Sequence, residues 1–331
     1  MKELSKVSAT WHEIGAEAAG QRVDNYLTRS LKGVPKSHVY RILRSGEVRV
    51  NSRRVGPDYR LAEGDRVRIP PIRTAPRPAA PRPVAGARLR ADILYEDDAL
   101  LVINKPPGVA VHGGSGVARG VVEQLRLERP EARFLELAHR LDRETSGVLM
   151  LAKRRSALTE LHRQLREGLV HKSYLVLVKG EWRGELRSVK VPLHKYVLPS
   201  GERRVSVSRV GLPAHTLFRL QRRWRGLSLL EAELKTGRTH QIRVHLAHLG
   251  FPVAGDDKYG DFKLNKELAP RGLKRMFLHA HKTVITHPRS GAPLALEAPL
   301  PADLQGFLAT LDAEEARGGK GPQRHETRDA P

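Results

Sequence analysis

Asp142 is the residue in this chain best placed to do chemistry. It stands in HRLDRETSG (139–147), with Arg140 just upstream and a short Arg-Glu-Thr-Ser-Gly turn behind it. From Gly147, the residues Val148 to Ala152 read as a buried strand, short, continuous and apolar, closed by Lys153. A carboxylate on a turn at the mouth of such a strand is held rigidly, as a reacting group must be. Beside a guanidinium it stays ionised at neutral pH, since an unperturbed aspartate titrates near about 3.9. The same local pattern also suits a structural ion pair or a turn cap.

Two further stretches carry reactive side-chain types. HKSYLVLVKG (171–180) alternates as a strand with Tyr174, Val176 and Val178 on one face, where a lone tyrosine also fits a core. In LKTGRTHQIRVHLAHLG (234–250), Gly237 breaks a strand and Thr239 is the expected cap of a helix running to Leu249, with Gly250 after it. His240, His245 and His248 do not converge on one helix face, so no metal is expected there. His279, His281 and His287 are expected on a strand edge or hydrogen-bonded in the core. HGGSG (112–116) lacks the Walker spacing and its Lys-Ser/Thr, which argues against nucleotide hydrolysis. Cysteine is absent, which removes thiol chemistry and cysteine-bound zinc and fits a reducing cytosol.

The string HRLDRETSG resembles the catalytic-aspartate motif of the pseudouridine synthases of the ribosomal large subunit type (the RluA type). That family reads HRLD, two variable residues, then Thr-Ser/Thr-Gly. NKPPGVAVH (104–112) is similar to the family's first motif, expected to shape the pocket wall. Lys172-Ser173-Tyr174 matches its Lys-x-Tyr, and GRTHQIR (237–243) its third motif. The resemblance implies Asp142 as the catalytic carboxylate, Arg243 as its ion-pair partner and Tyr174 as a residue that stacks on uracil and assists a proton transfer. Arg140 is implied to fill the space left by an everted base; a phosphate clamp is the other reading. No cofactor is implied, because the isomerisation consumes nothing. Two branches of the family carry an RNA-binding domain in front; the other branch usually reads Thr-Thr-Gly where this chain has Thr145-Ser146-Gly147.

The formal charge supports an RNA partner. The 331 residues hold 59 Lys and Arg against 36 Asp and Glu, a net +23 that calls for a polyanion. No basic amphipathic helix with bulky apolar residues stands out, so nucleic acid is favoured over membrane. Positions 29–60 concentrate nine basic residues against Glu47 and Asp58. Val23, Tyr26, Leu27 and Leu31 fall at helical spacing. A second helix, capped by Ser37 and stopped at Gly46, is expected to turn Val39, Tyr40, Leu43 and Ile42 inward. Lys36, Arg41, Arg44, Arg49, Arg53 and Arg54 then form the expected RNA-binding surface. This text resembles an S4 domain, which implies a grip on folded RNA through backbone charge and shape.

The expected fold class is α+β. Residues 1–19 form a weakly paired lead-in, 20–70 the S4 domain and 71–90 a Pro/Arg-rich linker. Residues 91–312 form a catalytic domain with a mixed, mainly antiparallel sheet flanked by helices, and 313–331 a disordered tail. The resemblance implies 23S ribosomal RNA as the partner of a cytoplasmic, monomeric isomerase with no membrane or nucleotide cofactor. A non-catalytic S4-type RNA-binding or ribosome-assembly protein remains the alternative of a different class.

Overall fold

A computed structural model describes residues 8–31, 33–72, 89, 91–113 and 119–318. The linker residues 73–88 and 90, the glycines at 114 and 116 and the tail beyond 318 lie outside these. The chain divides into two compact units.

In the N-terminal unit, β1 (Thr10–Glu13) precedes α1 (Val23–Ser30) and α2 (Lys36–Arg44), and β2 (Arg49–Val50), β3 (Arg53–Arg54) and β4 (Arg66–Ile69) follow. The strands pair antiparallel in the order β1-β4-β2-β3. The apolar residues Val23, Leu27, Val39, Ile42, Leu43 and Val67 form one core between helices and sheet. Three expectations change here. Thr10–Glu13 is paired with β4, not loose, because Trp11 lies against the Arg66 guanidinium and His12 bonds Tyr26. Helix α2 begins at Lys36 with Pro35 before it, so Ser37 sits inside the first turn and caps nothing. Tyr40 faces out, because its hydroxyl donates to the buried Asp24 carboxylate at 2.9 Å.

The C-terminal unit opens with β5 (Ile93–Glu96) and β6 (Leu100–Lys105), then α3 (Val121–Glu128), β7 (Glu136–Leu137), β8 (Ser146–Ala152) and α4 (Arg155–Glu167). Next come β9 (His171–Lys179), β10 (Leu186–Lys190), β11 (Leu193–Val197), β12 (Arg203–Val207), β13 (His215–Trp224) and β14 (Leu227–Leu234). Helices α5 (Gln241–His248) and α6 (Phe262–Leu268), strands β15 (Leu278–Thr286) and β16 (Pro293–Glu297), and α7 (Ala302–Gly318) complete it. The main sheet runs β10-β13-β14-β9-β15-β8-β6-β5, with β16 on β15 and β7 on β8, while β11 and β12 form a separate ribbon.

Every pairing in the main sheet is antiparallel except β8 with β15, so the sheet is mixed and mainly antiparallel, as expected. That one parallel contact sets both strand starts at the same end of the sheet, where the candidate site lies. It also explains Gly147, whose φ is +112° and whose absent Cβ would stand 2.2 Å from the Ala280 carbonyl oxygen. All seven residues of β8 are buried.

Helix α7 runs through position 313, where the sequence reading starts a disordered tail. Leu304, Phe307 and Leu311 pack against Leu268, Leu273 and Phe277, and Glu314 pairs with Arg271. Each such apolar side chain stabilises the helix by roughly 1.5–3 kcal/mol. That outweighs the polar residues beyond.

Candidate active site

Asp142 sits on the turn that feeds β8, and the Thr145 amide donates to its carbonyl oxygen at 3.2 Å. The turn is braced from behind. Lys105, with no exposed surface, donates from Nζ to the carbonyls of Pro106, Val109 and Arg143 at 2.8, 2.8 and 3.0 Å. Burial pushes this ammonium down to about 7, against the pull of Glu144 and Asp142. Arg143 Nε returns a bond to the Gly108 carbonyl at 2.9 Å. NKPPGVAVH therefore holds the Asp142 turn in place and does not line the cleft, where the sequence reading expected a pocket wall.

On the other side of the turn, Ser146 Oγ lies 3.0 Å from His279 Nδ1, and His279 Nε2 donates to the Ala298 carbonyl at 3.1 Å. Burial holds His279 down to about 4, so it is a neutral core group in a hydrogen-bonded chain. His139 is likewise a core group, with its Nε2 accepting from the Met150 amide at 3.1 Å.

Across the cleft, α5 delivers Arg243. Its Nη1 donates to Asp142 Oδ2 at 3.2 Å, while Nε and Nη2 grip Asp256 at 2.6 and 2.7 Å. Asp256 has no exposed surface and also accepts the amides of Lys258 and Tyr259. Burial alone would raise its carboxyl, but Arg243 and the two amides outweigh that and hold it below the usual range. The Tyr259 ring lies against the same guanidinium. Thus the Arg243 fork is fixed by a planar, two-point contact on one side and offers its remaining nitrogen to Asp142.

Helix α5 starts differently from expectation. Thr239 does not cap it; His240 precedes the helix in the left-handed region, φ +53°. Gln241 does the fastening: its Oε1 accepts from Thr236 Oγ1 and the Arg238 amide, and its Nε2 donates to the His215 carbonyl. Tyr259 Oη accepts from the Val205 amide and donates to His240 Nδ1, which leaves the imidazole proton on Nε2, 3.9 Å from Asp142 Oδ1. Burial lowers the His240 pKa more than the Asp142 charge raises it. The cation at Asp142 is therefore Arg243, with neutral His240 beside it.

Asp142, Arg140, Tyr174 and Arg243 all line one cleft of about 570 Å³. A fifth of the Asp142 side chain is open to it. Tyr174 is buried on the face of β9 predicted from sequence, and burial together with the Asp142 charge pushes its phenol above the ordinary range. Sequence reasoning missed Asp256, Tyr259, His240 as a neighbour of the carboxylate, and Lys105. No local pattern marked Asp256, which follows Val253-Ala254-Gly255 where Asp142 precedes an apolar strand.

In the N-terminal unit, Lys36, Arg41, Arg44, Arg49, Arg53 and Arg54 are all exposed, and none pairs with a carboxylate among the described residues. Arg54 stands directly across from Arg49, and Arg49 from Arg68, a cross-strand row of three cations. Like charges placed so repel one another unless an anion joins them.

Both units resemble known proteins. The family described as RNA pseudouridylate synthase matches residues 99–248, and the S4 domain matches residues 21–67. Escherichia coli (strain K12) ribosomal large subunit pseudouridine synthase C is 54% identical over 303 residues, covering 90% of this chain and 95% of the relative. The protein of the same name from Pasteurella multocida (strain Pm70) is 51% identical, covering 92% and 94%. Among solved structures, human RNA pseudouridylate synthase domain containing 1 superposes with a TM-score of 0.55 at 25% identity, over 72% of this chain and 98% of that one. Human RNA pseudouridylate synthase domain containing 4 gives 0.54 at 27% identity, over 66% and 92%.

Proposed function

The chain belongs to the RNA pseudouridylate synthase family, and we propose that it isomerises uridines of bacterial 23S ribosomal RNA with Asp142 as the reacting carboxylate. The observation that carries this reading is the Arg243–Asp142 pair on a cleft that also presents Tyr174. The names of the relatives at 54% and 51% identity support the choice of large-subunit RNA. The reading has the protein acting as a cytoplasmic monomer; among the described residues no helix is long and apolar enough to cross a membrane.

In the reaction the N1–C1′ bond of a uridine breaks, the uracil turns, a C5–C1′ bond forms, the hydrogen at C5 leaves as a proton and N1 takes one up. Nothing is oxidised and nothing is consumed. The chemistry needs an ionised carboxylate at the sugar or base, an enclosure that keeps the freed uracil, and a group to receive the C5 proton. Asp142 beside a fixed guanidinium meets the first need, and a cleft of nucleotide size the second. A uridine inside a helix must first be everted, at a cost of a few kcal/mol, and Arg140 on the cleft wall is our candidate for the vacated space.

Tyr174 holds its proton at neutral pH, so it serves as a ring to stack on and a hydroxyl to donate, not as a standing phenolate base. Tyr174→Phe should therefore leave RNA affinity within about threefold while slowing single-turnover isomerisation by about 10²–10⁴-fold. A rate equal to wild type would remove the hydroxyl from the mechanism.

The S4 surface makes a separate prediction. Changing Lys36, Arg41 or Arg44 to Ala should flatten the slope of log affinity against log salt by about one unit per lost phosphate contact. If all three changes left the slope intact, the RNA grip would lie elsewhere.

The proposal as a whole is tested by mapping pseudouridines in 23S rRNA from cells lacking this protein. Specific positions should revert to uridine, return with the wild-type gene and stay absent with Asp142→Asn. An unchanged map would overturn it.

A further inference from the structure

One basic side chain in the cleft, Lys172, faces no carboxylate partner among the described residues. Lys172 lies two residues before Tyr174 on β9, so both point to the same face, and both line the cleft. Lys172 is half-buried, yet it makes no hydrogen bond or ion pair among the described residues. Asp142 does not serve it, being committed to Arg243. Glu233, on the neighbouring strand, is taken by Lys235 and His171. The ammonium rests beside Gly237, where even a Cβ would approach it only to 3.4 Å. Burial with no opposing carboxylate lowers its pKa. An ammonium largely withdrawn from water with no opposing charge costs stability, and such groups persist where a ligand supplies the counter-charge. Arg166 on α4 lines the same cleft, is exposed and is likewise without a carboxylate partner among the described residues.

We propose that Lys172 is a positioning residue that receives a phosphate flanking the everted uridine, and so sets the nucleotide at the depth where Asp142 meets its sugar. The assignment rests on the uridine-isomerisation reading. A phosphodiester is favoured over a uracil carbonyl because only the former carries the full negative charge that this site lacks. The Tyr174 ring, one step further in along the same strand face, then lies where the base would stack.

The test uses short RNAs with [5-³H]uridine at the target, each carrying a neutral methylphosphonate at one of the two flanking phosphates. For the wild-type protein, neutralising one of them should lower kcat/KM about tenfold or more, the worth of one charged hydrogen bond. Lys172→Met should show a loss of the same size on unmodified RNA and no further loss on that modified RNA. Lys172→Arg, which keeps the charge and tolerates less packing change, should stay within about threefold of wild type and keep the sensitivity. Wild-type indifference at both phosphates overturns the assignment. So does a Met variant whose loss multiplies with that of the methylphosphonate, which would point to a uracil contact. Wild-type protein that releases no tritium from unmodified RNA would sink the isomerisation reading itself, an outcome distinct from either.

Discussion

Asp256→Asn is expected to lower kcat/KM about a hundredfold and to cost roughly 3–5 kcal/mol of folding stability, although Asp256 does not line the cleft. All its partners are donors: Arg243 Nε and Nη2, and the amides of Lys258 and Tyr259. An asparagine of the same shape must turn its NH₂ toward at least one of them, leaving a buried donor facing a donor. Arg243 would then keep its charge but lose its two-point anchor, and Asp142 would lose its register with the substrate. Asp256 thus acts through Arg243, as a positioning residue.

The same pair fixes a pH dependence. The Asp256 carboxyl is held below its ordinary value in the folded protein, so its contribution is complete above the unfolded value of about 3.9 and is lost as pH falls through the folded value. Thermal melts from pH 8 to pH 3 should therefore show wild-type stability falling in the acid limb more steeply than that of Asp256→Asn, so that the two curves converge. Parallel curves would mean that the pair contributes little net stability.

The parts of the site legible in the sequence were those carried by local pattern. Asp142 precedes an apolar run, Tyr174 shares the two-residue period of a strand, and Arg243 ends a motif that the resemblance ties to a carboxylate. Their meeting is a tertiary fact, for Asp142 and Arg243 lie 101 residues apart. Asp256 escaped notice because nothing local separates a buried acid on a turn from a solvated one. The misreadings have a common origin. Tyr40 at helical spacing counts as apolar until its hydroxyl finds Asp24, and Thr239 looks like a cap until Gln241 fastens the segment instead. Beyond 313, composition spoke for disorder, while Leu304, Phe307 and Leu311 had already committed the helix to the core. In each case a specific partner overrode a propensity.

The central claim is that the Asp142 carboxylate carries out the isomerisation, and Asp142→Asn tests it with little change of shape. The amide keeps the size and can still accept from Arg243 Nη1, but it has neither the charge nor the nucleophilicity of the carboxylate. RNA binding should persist, because the S4 cations and the basic cleft are untouched. A non-catalytic RNA-binding protein would tolerate the change entirely, and an enzyme that merely cut the glycosidic bond would release free uracil and alter the RNA mass. The decisive measurement is tritium release from [5-³H]uridine 23S rRNA, made alongside RNA affinity and product mass. The account predicts release and unchanged RNA mass with wild type, and no detectable release with Asp142→Asn at an affinity within about threefold. Release by Asp142→Asn at the wild-type rate would contradict it.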